Sequence, residues 1–327
     1  MAQLSFGDAE YASKKKRTKR EIFLAEMDAV VPWGPLVALI EPYYPVAGNG
    51  RHPYPLAIML RVHLMQNWFG LSDPGMEEAL YEVASMRQFA GLSLLKSIPD
   101  ESTILGFRHL LEEHELAVEI LARVNAHLSR KGLLLKRGTM VDATIIDAPS
   151  STKNESGKRD PEMHQAKKGN QWFFGMKAHI GADVDSGLVH TVTTTPANES
   201  DVAQVDLLLH GKEEVVHADA AYAGAAAHAP RAKVDWQIAK RRSTVKKIAD
   251  PHQRERALAL ERRKAQIRAR VEHPFRVVKR QFGYTKTRFK GLAKNTAQIV
   301  TLFALANLYL VRKRLMASTG VVRPQLG

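Results

Sequence analysis

The sequence predicts an α/β fold, a mixed sheet flanked by helices, preceded by an all-α N-terminal region. Three observations carry this. From Glu21 to about Arg130 apolar residues recur at three- and four-residue spacing, the period of an amphipathic helix. At Lys136 the period changes, and short β-branched runs follow. After Ala220 the chain turns basic and helical, and one apolar helix closes it.

The N-terminal stretch divides at its breakers. YPLAIMLRVHLMQNWF (Tyr54–Phe69) has an apolar stripe broken by GLSDP, where Pro74 suits a helix start. GMEEALYEVASMRQFAGL reads as the next helix, ending near Gly91, and SIPDEST starts another that stops at Gly132. The pair around Gly91 to Pro99 fits a helix-turn-helix reader, although packing alone gives the same pattern. Trp33, Tyr43, Tyr44, Trp68 and Phe69 read as core or a dimer face.

RGTMVDATIID, FGMKAHIGADV, LVHTVTTTP and EEVVHADAAY read as strands bounded by Gly, Pro or charge. The basic connection from Ala148 to Asn170 reads as a loop, and ESDVAQVDLLLHG as a helix between the third and fourth strands. Three strands, a helix, then a strand is the order of a ribonuclease H-like domain. It is not strict βαβ alternation, and neither GxGxxG nor GxxxxGK[ST] occurs. The expected organisation is a helical domain over 1–135, followed by the α/β domain over 136–318, with a basic helical segment at 223–283 and a frayed tail at 319–327. The Asn, Gln and Thr residues of AKNTAQIVTLFALANLYLVRKRL argue against a membrane span.

Charge points to the partner. The 327 residues carry a formal +14. Between Arg231 and Lys294 there are 21 Lys and Arg against 5 Asp and Glu, a local +16 that leaves −2 for all other residues. Such a block is the footprint of a nucleic-acid site; a solvated charged helix is the plainer reading. The run KKKRTKR at Lys14 to Arg20 fits a basic arm or a helix start equally well. With no cysteine, disulfides and thiolate metal sites are excluded. The N-terminus has no apolar signal core, so a cytoplasmic, nucleoid-associated protein is expected.

Asp142 sits among apolar residues of the first strand run, VDATIIDAPSSTKN. A carboxylate out of water is costly unless it is paired or coordinated. Alternation sends Asp142 and Asp147 to opposite faces. Asp219 ends the fourth strand, and in ribonuclease H-like order it converges on Asp142. Two such carboxylates repel unless a divalent cation lies between them. Oxygen ligands without thiolate suit Mg²⁺ or Mn²⁺, and two ions about 4 Å apart need a third carboxylate. QIRARVEHPFRVVKR supplies Arg268, Glu272 and Lys279 in R-x3-E-x6-K spacing, one face of a helix. Pro274 implies a bend after Glu272 or a new helix at the proline.

These stretches, with VVHADAAYAG, RVEHPFRVVKRQFGYTKTRFKGLAKNTAQ and HPYPLAIMLRVHLMQNWFGLSDPGMEEALYE, resemble the bacterial DDE transposases of the insertion-sequence-five family over most of the chain. The resemblance places the Asp-Asp-Glu triad, both catalytic and metal-binding, on Asp142, Asp219 and Glu272. It places the signature arginine and lysine on Arg268 and Lys279; the signature tyrosine is replaced by Ala265. It implies binding of double-stranded transposon-end and target DNA, two Mg²⁺ or Mn²⁺ ions, strand nicking by activated water, and in-line attack by the freed 3′-hydroxyl. A homodimer or larger assembly on DNA and no membrane are expected. Arg276, Lys240, Arg241 and Arg242 are further candidate DNA contacts. A structure-specific nuclease without strand transfer and a non-catalytic DNA-binding protein are the alternatives.

Each other acidic or histidine candidate has a plainer role. Asp147 is the decoy for the first triad position, Asp183 and Asp185 are turn residues, and Asp201 is a helix start. Glu255 and Glu261 compete with Glu272 but lack its flanking cations. His217 lies on the strand face of Asp219 as a neighbour of the site or a packed neutral ring; His164 and His179 read as structural. Trp172 and Phe173 pack on a base or on a loop.

Overall fold

The computed structural model describes residues 16–48, 52–93, 97–155, 157–230 and 233–319. Two compact units emerge, one of residues up to His127 with those from Ala304 on, the other running from Leu128 to Phe303. The tail at 320–327 and the first two lysines of KKKRTKR lie outside the described residues.

The first unit is helical. α1 (Lys19–Val30) starts at a capping box, in which Thr18 accepts from the Glu21 N–H and the Glu21 side chain returns to Thr18 N. α2 spans Trp33–Ile40. α3 (Leu56–Phe69) buries nine of its fourteen residues and stops at Gly70, φ 63°. α4 (Asp73–Glu82) and α5 (Ala84–Ala90) replace the single helix expected from the pattern, because Val83 is extended, φ −108° and ψ 95°. A continuous helix would carry Phe89 roughly 140° around from Met76. The break lets Met76, Leu80, Met86 and Phe89 all be buried. α6 (Glu101–Glu113) is capped by Asp100, which accepts from Thr103 N at 2.8 Å; α7 is Leu116–Arg130. The later part of α13 (Leu292–Thr319) joins this unit. There the Arg312 Nε donates to the buried Glu26 at 2.8 Å, so that carboxylate is not left uncompensated.

The second unit is built on a sheet with six strands among the described residues, ordered β2-β3-β1-β5-β6 with β4 also on β3. They are β1 Gly138–Asp147, β2 His164–Lys168, β3 Gln171–Asp183, β4 Val189–Pro196, β5 Val215–Ala218 and β6 Asp235–Ile238. β1 pairs antiparallel with β3 and parallel with β5, and β5 is parallel to β6. This mixed six-stranded sheet with flanking helices is ribonuclease H-like, as the order of the strand runs predicts. On one face Val141, Val216, Ala218 and Tyr222 close a core with Val205 and Leu208 of α8 (Val205–Leu208) and Ala225 of α9 (Ala225–His228). On the other lie α10 (Arg242–Lys246), α11 (Pro251–Arg268), α12 (Glu272–Arg276) and the start of α13; Thr194 and Thr296 hydroxyls meet at 2.6 Å. β1 and β3 approach very closely at Gly175, where an added Cβ would lie 2.0 Å from the Ile146 carbonyl oxygen.

Three expectations are corrected. The Ala148–Asn170 connection contains β2, paired to β3 from His164↔Gly175 to Lys168↔Gln171. The segment after Ala220 is not wholly helical: it holds β6, whose Trp236 and Ile238, with Val234 before it, pack against the Val141 core. The helix expected in ESDVAQVDLLLHG shrinks to a 3-10 turn, Val202–Gln204, and the four residues of α8.

Candidate active site

The parallel register of β1 and β5 pairs Gly138 with Val215, Thr139 with Val216 and Met140 with His217. Beyond the last pair it runs toward Asp142 and Asp219, which lie within electrostatic reach of each other. Asp219 lies just past β5 and caps a 3-10 turn, its Oδ1 accepting from Ala221 N at 2.8 Å. Asp142 Oδ1 accepts from Ala143 N at 2.8 Å. Burial pushes the Asp142 carboxyl up to about 6. The charge of Asp219 adds to that rise, while the Ala143 N–H, Arg268 and Lys168 oppose it. Asp142 is therefore an aspartate whose desolvation is only partly offset by two cations.

The chain between Arg268 and Lys279 is not one regular helix. α11 ends at Arg268, a 3-10 turn covers Ala269–Val271, α12 begins at Glu272, and a π-helical stretch spans Val277–Gln281. Pro274 accounts for the first change, since its ring disfavours an α-helical carbonyl at Arg270. The break falls before Glu272, not after it as expected. Arg268 is half-buried near Asp142, Glu272 is exposed, and Lys279 is half-buried with Nζ donating to the Ile145 carbonyl at 2.7 Å. Burial lowers the Lys279 pKa, against the pull of Asp147. Among the described residues no three His, Cys, Asp or Glu side chains are grouped to hold a metal ion. Asp142 feels the charge of Asp219, but the two are not grouped with Glu272. The donor set fits a hard divalent cation in part, through those two carboxylates.

Tyr222, three residues after Asp219, was not singled out by sequence. It is 1% exposed and its hydroxyl is buried without a hydrogen-bond partner. Burial raises its pKa, and Asp201, Asp142 and Asp219 push the same way against Arg268. The "DAAY" spacing was the available signal. His217 is buried on the face of Asp219, with its pKa lowered by burial and by Lys264.

A family model described as "Transposase DDE domain" matches residues 134–308, more than half of the chain. The chain belongs to the DDE transposases. A second model, "Transposase domain (DUF772)", matches residues 12–110. No solved structure matches.

Several acidic residues of the transposase are committed elsewhere. Asp147 ends β1, exposed, and its backbone pairs with the 285–287 segment. Asp183 is buried and holds a turn, accepting from Lys136 N, Ser186 N and Ser186 Oγ. Asp201 opens a 3-10 turn and pairs with Lys177 at 2.8 Å, while His179 bonds Thr195 at 2.8 Å. Glu261 accepts from Lys240 N at 2.9 Å; Glu255 is exposed. Of the candidate DNA contacts, Lys240, Arg241, Arg242 and Arg276 are exposed. In α11 only Lys264 is buried, donating to Ile238 O at 3.1 Å. In the α5–α6 pair, the buried Arg87 and Arg108 are spent internally, on Ser93 O and on Asp73 and Glu112. Residues 94–96 of the connection lie outside the described residues. Among the described residues no single helix is long and apolar enough to cross a membrane.

Proposed function

We propose that this transposase, of the insertion-sequence-five type, cuts and rejoins DNA by metal-dependent phosphoryl transfer, with Asp142, Asp219 and Glu272 as its carboxylates. The observation that supports the reading is the β1–β5 register, which runs toward a half-buried aspartate on β1 and a second one just past β5 that lies within its electrostatic reach. Asp142 and Asp219 would hold a divalent ion, Mg²⁺ or Mn²⁺, and Glu272 would contribute the third carboxylate of a second site. When bound, such ions supply Lewis acidity at the reacting phosphate. In the first step water bonds to phosphorus and the 3′-oxygen of the element leaves. In the second that 3′-hydroxyl attacks a target phosphodiester in line, displacing the target's own 3′-oxygen. The exposed cations Lys240, Arg241, Arg242 and Arg276 would contact phosphates of double-stranded DNA. Arg268 and Lys279 would serve DNA by placing the Glu272 segment. The N-terminal helical region, about 1–135, would engage the element's ends or a second copy, since two ends need at least a homodimer. The working place would be the nucleoid.

The test is a supercoiled plasmid carrying the gene with its flanking DNA, incubated with purified protein and Mg²⁺ or Mn²⁺. Nicks at both element boundaries and joined products are expected. Cutting without joining would instead make it a nuclease, and no cutting with either ion would remove the reading.

A further inference from the structure

β2 and β3 form a two-stranded ribbon that runs on beyond the body of the sheet. Its turn is Gly169–Asn170, with Gly169 at φ +61°, the positive φ that a two-residue hairpin loop demands. Along 164–172 only Ala166 is less than exposed, and no acidic residue occurs from His164 to Gly175. Trp172 is 64% exposed, and Lys167, its register partner, sits with Nζ 5.9 Å from the indole centroid. A tryptophan left this far in water among lysines is no part of a core.

Its position is specific. Side chains alternate along β3, so Trp172 shares a face with Phe174, Met176, Ala178 and Ile180, and Ile180 lies opposite Asp142. The close passage of Gly175 over Ile146 O ties the root of the ribbon to the end of β1, four residues beyond Asp142. At the tip, Lys168 lies within electrostatic reach of both Asp142 and Lys279. The ribbon therefore presents Trp172 and Lys167 on one face, with Lys168 on the other face of the tip.

We infer that the β2–β3 ribbon is a stacking platform for an unpaired nucleobase, the base lying on Trp172 and a flanking phosphate meeting Lys167. An exposed indole with adjacent cations and no acid suits this ligand, because every base offers a π-face and its backbone is anionic. Duplex DNA offers no free base face, so the platform acts on strands that are already cut or splayed. The inference rests on the DNA reading above.

The test compares wild type, Trp172→Ala and Trp172→Phe in binding to a short single-stranded deoxyoligonucleotide containing 2-aminopurine and to a blunt duplex of mixed sequence. Trp172→Ala should weaken single-strand binding about tenfold or more and relieve quenching of the 2-aminopurine, the loss of one base stack. Trp172→Phe should lose less, and duplex affinity should stay unchanged for both. Equal single-strand affinity in wild type and Trp172→Ala overturns the platform while leaving the DNA reading standing. A change only in self-association, seen by light scattering, would also overturn it and make Trp172 a contact between copies. Failure of wild type to bind any DNA would take down the parent reading and this one with it.

Discussion

Of the three carboxylates proposed as the triad, Asp142 rides on a strand, Asp219 lies just past a strand end and Glu272 sits on a helix, and the structure treats them differently. Asp142 and Asp219 are placed by a hydrogen-bonded register and by backbone N–H groups one and two residues downstream. Glu272 is exposed, between a 3-10 turn and a buried proline, ahead of a π-helical stretch. A sheet fixes its carboxylates at folding, whereas a helix interrupted this often leaves its carboxylate to be placed by a ligand. Departures from regular α-helix recur at functional sites.

Metal binding should break or confirm that contrast most sharply. Alanine at Asp142, Asp219 or Glu272 should each abolish cleavage, a fall on the order of a thousandfold, while Asp147→Ala keeps it. Mn²⁺ titration of the DNA-free protein should nevertheless separate them: Asp142→Ala loses the first ion, and Glu272→Ala retains it. Equal loss in both would mean that Glu272 is already placed before DNA arrives.

Next is Gly175→Ala, which tests the rigidity of the strand side. An added Cβ meets backbone at 2.0 Å, so a loss of about 3 kcal/mol or failure to fold is expected, read by thermal melting. An unchanged melting temperature would show that β1 and β3 can part and that the aspartates are less fixed than argued.

Much of this contrast was legible in sequence, and the rest has physical reasons for escaping. Asp142 stood out because burial of a lone carboxylate is costly, and the strand order followed from the change of period at Lys136. β2 escaped because HQAKK buries nothing, and a strand with no apolar face has no pattern to read. β6 escaped because its alternating Trp236 and Ile238, with Val234 before them, are embedded in the basic block. Pro274 signalled a departure from one unbroken helix near Glu272, but not that the 3-10 turn would fall before it.

Asp142→Asn probes the cost of keeping the strand site charged. The carboxyl titrates near 3.8 when unfolded and about 6 when folded. The native state therefore holds the proton more tightly, and its ionisation penalty is absent below pH 3.8, grows between 3.8 and about 6, and is complete above. The penalty is at most about 3 kcal/mol. The variant should melt higher than wild type at alkaline pH and level with it in acid; a gap independent of pH would assign the effect to packing.

The smallest effects separate exposed from committed cations. Arg241→Ala and Arg276→Ala should each reduce the salt slope of DNA binding by about one. Lys279→Met should instead cost about 1 kcal/mol of folding stability, the hydrogen bond to Ile145 O, with the slope unchanged. A reduced slope for Lys279→Met would mean that its ammonium leaves the carbonyl for a phosphate.

α11 has eighteen residues and buries only Lys264, and the protein contains no cysteine. Together these make the helix uniquely addressable. A cysteine at an outward position such as Ala259 would be the sole thiol in the molecule, open to a dye or spin label without disturbing the sheet. Paired with a second such position beside Glu272, it turns the placement of α12 into a distance that can be followed in solution, one ion or one DNA strand at a time.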